Sequence, residues 1–181
     1  MRTILTVVIM VALTWASPKA QNQLNVPGGQ QQKSVAAQLI GTWHLVSRET
    51  TTSTGKRIVE PELGAHPVGY LIYDSTGHVA VQMMRENRSE SEMENCGSRS
   101  TKGRNTSSIF CGYNAYFGTY TVAESQRVVT HHLEGALSLD DVGKDLHRSF
   151  DVTADRLTIT FSTTSPEGLS VKRTLVWERV K

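Results

Sequence analysis

Tyrosine, histidine and arginine residues in this chain have the side chains best suited to chemistry at a site. Guanidinium groups and tyrosine hydroxyls can bind a ligand carboxylate, and a histidine can transfer protons near neutral pH. Nucleophile-elbow, phosphate-loop and metalloprotease motifs are absent from the sequence. The candidate ligand-binding residues are Tyr73, Tyr116, Tyr120, His131, Arg148 and Arg173.

The adjacent pair His131-His132 is a poor metal site. Neighbouring residues of a strand point to opposite faces, so the two rings cannot easily bind one ion, and no further histidine stands at ligand spacing. We therefore predict no metal and no cofactor. One histidine should lie inside and hydrogen-bonded, and the other on the surface. If the protein is an enzyme, His131 with Tyr116 or Tyr120 would be the acid–base residues.

Short alternating segments separated by turn residues position these side chains. Turns such as Asp74-Ser75-Thr76-Gly77 and Asp140-Asp141-Val142-Gly143 separate them. The pattern predicts an all-β antiparallel barrel or sandwich with one short helical turn near residues 34–40. The predicted strands are 42–52, 67–74, 78–84, 115–123, 127–136, 144–152, 156–163 and 170–178.

Strand alternation predicts which side chains face inward. The inward set contains Arg148 and Arg173 but no acid that could neutralise them, and an unpaired buried charge is unfavourable. A ligand carboxylate could be held by Arg148 or Arg173 with help from tyrosine hydroxyls. Alternatively, Arg173 extends to the barrel mouth and Arg148 pairs with Asp145 or Asp151. The predicted lining also includes Trp43, Leu45, Ser47, Leu71, Val79, Val81, Met83, Val129, Leu133, Leu146, Phe150, Leu157, Ile159, Phe161, Val171, Leu175 and Trp177.

The first twenty residues have the order of a secretory signal peptide. Met1-Arg2 is a basic start, Ile4 to Trp15 is a nearly unbroken apolar run, and small residues follow at 16, 17 and 20. We therefore predict export, secreted or periplasmic, after cleavage near residues 16–20. Residues 21–34 are rich in Gln, Asn and Gly and predict a flexible leader. Residues 35–181 are long enough for one domain with a core.

The charge balance excludes some partners. Removal of residues 1–20 deletes Arg2 and Lys19 and no acid, which leaves basic and acidic residues equal in number. Without a basic run, nucleic acid is not a predicted partner. No later segment is apolar enough for stable membrane insertion.

The stretch 85–112 is a long polar insert that contains both cysteines of the sequence. In an exported chain, Cys96 and Cys111 at this spacing predict one disulfide. Its closure would stabilise the fold by about 3 kcal/mol in the chain-entropy model. Asn87 and Asn105 begin sequons that a eukaryotic secretory pathway could glycosylate.

Several segments occur in an order typical of one family. They include Gly41-Thr42-Trp43 at the first strand and Leu175 to Arg179 at the last. Between them stand Pro67 to Tyr73, Tyr116 to Tyr120 and Val129 to Gly135. Over residues 39–179 the chain resembles the small lipocalin-like domain family of bacteria and fungi, in the calycin superfamily, although the cysteine-bearing insert departs from it. The resemblance implies an eight-stranded up-and-down barrel closed by Gly41, Trp43 and Arg179, with the basic side chain packed across the indole.

A barrel of eight strands has an interior just wide enough for side chains or one small ligand. The leading hypothesis is therefore a protein that binds a small hydrophobic or amphiphilic ligand, which could be anionic. Two alternatives stay open, an isomerase- or cyclase-type enzyme that uses the barrel pocket, and a filled barrel that acts through its 85–112 loop. Binding is favoured over catalysis.

Overall fold

The computed structural model describes residues 34–60, 63–89, 112–165 and 168–181. The hydroxyl of Ser34 accepts a hydrogen bond from the backbone N–H of Ala37 and so caps the first helix. Residues 124–126 and 139–141 form short 3₁₀ turns. The described elements are α1 Val35–Leu39, β1 Gly41–Thr52, β2 Arg57–Ile58, β3 Pro67–Tyr73, β4 His78–Arg85, β5 Tyr113–Ala123, β6 Val128–Ala136, β7 Asp145–Val152, β8 Arg156–Thr164 and β9 Ser170–Arg179.

The long strands form one closed antiparallel sheet. From β3 to β9 each strand pairs with the next in sequence, β1 pairs with β3, and β9 returns to pair with β1. The two-residue β2 pairs only with the end of β1, so eight strands close the barrel. The predicted all-β, eight-stranded, up-and-down barrel with a short helical turn is therefore confirmed. Each long strand begins and ends within two residues of its predicted bounds.

The two ends of the barrel differ, because strand direction alternates and the connections fall into two groups. One end holds α1 and the β3–β4, β5–β6 and β7–β8 turns. There Leu39 and Trp43 have no exposed surface, so we call it the closed end. The other end, the open end, holds the β2–β3, β4–β5, β6–β7 and β8–β9 connections.

The closed end is sealed by the Trp43 indole and the Arg179 guanidinium. The indole Nε1 donates to Leu39 O at 2.8 Å, and the guanidinium carbon lies 4.0 Å from the centre of the indole. Arg179 also donates to Gln38 O, Ile40 O and Ala154 O at 2.6–2.7 Å. Gly41 adopts a φ of 141°, and a Cβ there would lie 2.5 Å from Arg179 Nη1. The glycine therefore leaves room for the guanidinium.

We expect Arg179→Met to lower the free energy of unfolding by at least about 1–2 kcal/mol, because it removes the cation from the indole face and also the donors to three backbone carbonyls. Urea unfolding at pH 7 would measure the change. The control is Arg156→Met, an exposed arginine at the start of β8. Equal effects of the two substitutions would contradict a specific role for the contact with Trp43.

The inward face of β1 changes phase along the strand. Pairing with β9 shifts register between Leu45 and Ser47, which inserts one extra residue on β1. The prediction that Ser47 points inward is therefore wrong, because after the bulge Arg48 and Thr50 are the buried positions. Elsewhere, burial at alternate residues confirms the predicted lining of β3, β4, β6, β8 and β9.

Candidate functional site

A cavity of about 250 Å³ opens inside the barrel. Residues of β1, β3 to β9 and two open-end connections line it, so it extends from the middle of the barrel towards the open end. Most of its wall is apolar, with side chains such as Leu71, Val81, Ile159 and Leu175. Its polar lining residues are Arg48, Asn114, Tyr116, His131, Asp141, Asp145, Arg148, Ser162, Thr163 and Arg173. Both aspartates are engaged by other side chains, Asp141 by Lys144 at 2.9 Å and Asp145 by His132 at 2.7 Å.

Arg148 lies on β7 with its guanidinium against an aromatic ring. The guanidinium carbon is 3.7 Å from the centre of the Phe161 ring, and Nη1 donates to His147 O at 3.1 Å. Among the residues that the structure describes, no carboxylate forms an ion pair with it. The predicted alternative partners are engaged elsewhere, because Asp145 bonds His132 at 2.7 Å and Asp151 lies 3.9 Å from Arg127. Pairing of Arg148 with either acid is therefore wrong.

Burial lowers the pKa of the Arg148 guanidinium below its ordinary value, and the nearby charge of Arg173 lowers it further. A guanidinium stays protonated in proteins even so. Arg148 therefore holds its positive charge in a partly desolvated position, because the side chain is half-buried. An anion in the cavity would relieve this.

Arg173 has a counter-ion that the sequence did not reveal. Its Nε donates to Glu60 Oε1 at 3.0 Å, its Nη2 binds the same oxygen, and Arg48 Nη2 pairs with Glu60 Oε2. The three side chains are at most 9% exposed. The expectation that no acid lies inside the barrel is therefore wrong, since the segment after β2 places Glu60 there. The two guanidinium groups therefore share one buried carboxylate.

The Glu60 carboxylate is ionised within this cluster. Burial by itself would raise its pKa, but the charges of Arg48 and Arg173 and the hydrogen bonds from both hold the pKa below the ordinary 4.5. The ion pairs therefore outweigh the loss of hydration.

His131 stands between two tyrosine hydroxyls at the inner end of the cavity. Its Nε2 lies 2.7 Å from Tyr73 Oη and its Nδ1 lies 3.0 Å from Tyr116 Oη. The three residues come from β6, β3 and β5, so the chain of hydrogen bonds crosses the barrel. The Arg148 guanidinium lies beside the Tyr116 hydroxyl at the cavity end of this chain.

The His131 ring is neutral at physiological pH. Burial, with smaller contributions from the charges of Arg148 and His132, lowers its pKa to about 3. Near neutral pH the ring therefore carries no imidazolium proton to donate, and of the two acid–base roles in the enzyme hypothesis it could take only that of the base. The prediction of one inner and one outer histidine is confirmed, since His132 lies on the outer face and bonds Asp145 and Thr121.

The structure brings four of the six predicted ligand-binding residues to the cavity, Tyr116, His131, Arg148 and Arg173. Tyr73 is fully buried behind His131 and does not line the cavity. Tyr120 donates to Asp74 O at 3.0 Å near the closed end, and its ring packs against Tyr73. These two tyrosines can therefore influence a ligand only through other residues.

Several cavity residues were not among those predicted to line the barrel, and two of them, Arg48 and Asn114, are buried polar residues on strands. Arg48 was not predicted to face inward, because the bulge in β1 leaves no mark on the hydrophobic pattern. Asn114 precedes Tyr116 by two residues and so shares its face of β5. It is 8% exposed, and its Oδ1 has no hydrogen-bond partner in the described part of the chain. Its spacing of two residues from Tyr116 could have predicted that Asn114 faces the cavity.

In residues 34–60, 63–89, 112–165 and 168–181, no group of three His, Cys, Asp or Glu side chains could hold a metal ion. None of the helices in those ranges has the length and apolar character needed to cross a membrane.

Several predictions fall outside the described residues. They are the signal peptide 1–20, most of the 21–34 leader, the Cys96–Cys111 disulfide and the sequon at Asn105. Asn87 is described and exposed, and it lies just after β4 at the open end.

Comparison with curated proteins gives no significant match. The lipocalin-like domain family matches residues 40–180, which span the barrel from the start of β1 to the end of β9. The match includes Trp43 and Arg179 at the closed end and every polar residue of the cavity named above. Together with the closed eight-stranded sheet, it shows that the chain belongs to the lipocalin-like domain family.

Proposed function

We propose that this protein is exported and binds a small amphiphilic anion inside its barrel. Arg148 carries the proposal, because its guanidinium faces the cavity and forms no ion pair with a carboxylate in the described residues. Removal of a charge from water without a counter-ion is unfavourable by several kcal/mol. A ligand carboxylate beside Arg148 would supply that counter-ion. Export rests on the signal-peptide pattern of residues 1–20.

The walls of the cavity support an amphiphile over a fully polar anion. Leu71, Val81, Ile159 and Leu175 would contact the apolar part of a ligand, while Arg148 and Tyr116 would contact its polar end. Ligand sites generally combine mostly apolar walls with a few convergent polar groups.

The volume limits the size of the ligand. The 250 Å³ of the cavity lies just below the range of about 300–1,000 Å³ for drug-sized ligands. A short aryl or alkyl carboxylic acid suits this space. A longer chain would have to extend through the open end.

The state of His131 favours binding over catalysis. Both ring nitrogens are engaged by tyrosine hydroxyls, and the ring is neutral above a pKa of about 3. The cavity thus offers positioned hydrogen-bonding groups, without a histidine whose charge changes near neutral pH.

Ligand capture tests the proposal. The chain from Gln21 would be incubated with a lipid and metabolite extract of the source organism and analysed by native mass spectrometry. We expect a discrete adduct with the wild type that weakens at least about tenfold in Arg148→Met, because the charge-assisted hydrogen bonds are lost. Arg148→Lys should keep part of the affinity through its charge.

The matched control is Arg156→Met, which removes an exposed arginine from the outer face of the barrel. It should bind as the wild type does. The proposal fails if no adduct forms with the folded wild type, or if the adduct survives unchanged in Arg148→Met.

A further inference from the structure

The direction of the hydrogen bonds around His131 follows from what each hydroxyl can reach. A neutral imidazole has one N–H donor and one acceptor nitrogen, so only one of the two tyrosines can donate to the ring. The other tyrosine accepts from the ring N–H, and its own hydrogen must find another acceptor. Two arrangements are therefore conceivable, and they differ in which hydroxyl is left to seek one.

Tyr73 settles the choice. It is 1% exposed, and its only hydrogen-bond partner in the described residues is His131 Nε2. If Tyr73 accepted from the ring, its hydroxyl hydrogen would be buried without a partner, which costs about 1–3 kcal/mol. The favourable arrangement has Tyr73 donating to Nε2, so that the ring proton sits on Nδ1.

The consequence appears at Tyr116. The Nδ1–H of His131 donates to Tyr116 Oη across 3.0 Å, and the Arg148 guanidinium lies beside the same oxygen. The Tyr116 hydroxyl hydrogen is then free of the histidine. In the described residues no other acceptor bonds this hydroxyl, and Tyr116 lines the cavity. The hydrogen is therefore available to an acceptor in the cavity.

We propose that the Tyr73–His131–Tyr116 chain fixes the Tyr116 hydroxyl as a hydrogen-bond donor into the cavity, and that the cavity therefore selects carboxylic acids held jointly by Tyr116 and Arg148. This inference rests on the proposed function and deepens it by naming the ligand class. Tyr73 touches no ligand, so it acts as a positioning residue through His131. Arg148 would form an ion pair with the ligand carboxylate, and the Tyr116 hydroxyl would donate a hydrogen bond to it. A matched alcohol could accept from Tyr116 but would lack the negative charge that pairs with Arg148, and a protonated amine would be repelled by that arginine.

The first test measures the tautomer of His131 by ¹⁵N NMR of its ring in the full chain without ligand. We expect a protonated Nδ1 and an unprotonated Nε2 in the wild type. In Tyr73→Phe no hydroxyl donates to Nε2 any longer. Tyr116 can then donate to Nδ1, and the ring proton should move to Nε2. A protonated Nε2 in the wild type would overturn the inference at once, whatever the protein binds.

The second test measures affinity for 3-phenylpropanoate and for its matched alcohol, 3-phenylpropan-1-ol, by NMR titration. We expect the wild type to prefer the acid. Tyr116→Phe and Tyr73→Phe should each weaken acid binding by about tenfold, the second without any contact with the ligand. Alcohol binding should change little in Tyr73→Phe.

Tyr120→Phe is the matched control, because it removes a tyrosine hydroxyl that bonds Asp74 O, outside the cavity. It should keep the wild-type affinity. Equal binding of acid and alcohol by the wild type, or unchanged acid binding in a folded Tyr73→Phe, would overturn the selection. Failure of the wild type to bind the acid, with the expected tautomer present, would instead overturn the proposed function on which the selection rests.

Discussion

Glu60→Gln should lower the free energy of unfolding by about 3–5 kcal/mol, the usual effect of removing one partner from a buried ion pair. The substitution keeps the shape of the side chain but removes its charge. Arg48 and Arg173, both at most 9% exposed, would then both lose the carboxylate that pairs with them and would lie close together as like charges. Urea unfolding at pH 7 measures the change, with one shared m-value used for the wild type and the variant.

Glu49→Gln is the matched control. Glu49 follows Arg48 on β1 but points to the outer face. There its carboxylate lies 3.4 Å from the Arg57 guanidinium, and its side chain is half exposed. An exposed pair of this kind contributes about 0–1 kcal/mol. If the two variants lose the same stability, the buried cluster is not held together by charge.

A double substitution separates charge from packing. Adding Arg48→Met to Glu60→Gln removes one of the two guanidinium groups that the Glu60 carboxylate holds together, so the double variant should be more stable than the Glu60→Gln variant. Additive losses would show that the three side chains do not act as a unit. The restored stability would show instead that repulsion between the two guanidinium groups destabilises the single variant.

The pH dependence of this cluster has a definite sign. Because the folded-state pKa of Glu60 lies below 4.5, its contribution to stability is present above about pH 4.5 and is lost as the pH falls through the folded pKa. When the pH is lowered from 7 to strongly acid values, the free energy of unfolding should therefore fall less in Glu60→Gln than in the wild type.

The strands could be predicted because their signal is local. In β6 the apolar Val129 and Leu133 alternate with outward residues, and Gly143 marks the connection that follows, so both the strand and its inner face follow from the sequence. His131 shares the phase of Val129, which placed it inside the barrel. Arg148 and Arg173 were placed inside by the same reasoning on β7 and β9.

The charge balance of the interior could not be predicted in this way, because it depends on register and on a connection. The bulge in β1 exists only relative to β9, and it moves Arg48 to the inside without any change in local composition. Glu60 follows a two-residue strand too short to show alternation. The hydrogen-bond chain from Tyr73 to Tyr116 likewise joins β3, β6 and β5, whose proximity is set by barrel closure.

The barrel should also become less stable as the pH falls from 7.5 to 5, because His131 is buried as a neutral ring. Its pKa is about 3 in the folded protein and about 6.5 in an unfolded chain, so the unfolded state binds more protons between these values. A base with a lowered pKa therefore contributes full stability above about pH 6.5 and loses it as the pH falls towards the folded pKa. At pH 5 the expected loss from this residue is about 2 kcal/mol, at 1.36 kcal/mol per pH unit below the unfolded pKa.

Urea unfolding of the wild type, His131→Gln and His147→Asn at pH 7.5 and pH 5 tests this expectation. His131→Gln is less stable than the wild type at pH 7.5, because it disturbs the bonds to Tyr73 and Tyr116, but its loss between the two pH values should be smaller by about 2 kcal/mol. His147 lies on the outer face of β7 and bonds only Thr130 through its ring, so His147→Asn should keep the loss of the wild type. Measurement at pH 5 leaves the Glu60 carboxylate ionised, since its pKa lies below 4.5. An equal loss in His131→Gln and in the wild type would mean that His131 is protonated inside the folded barrel, and the hydrogen bonds inferred around it would then be wrong.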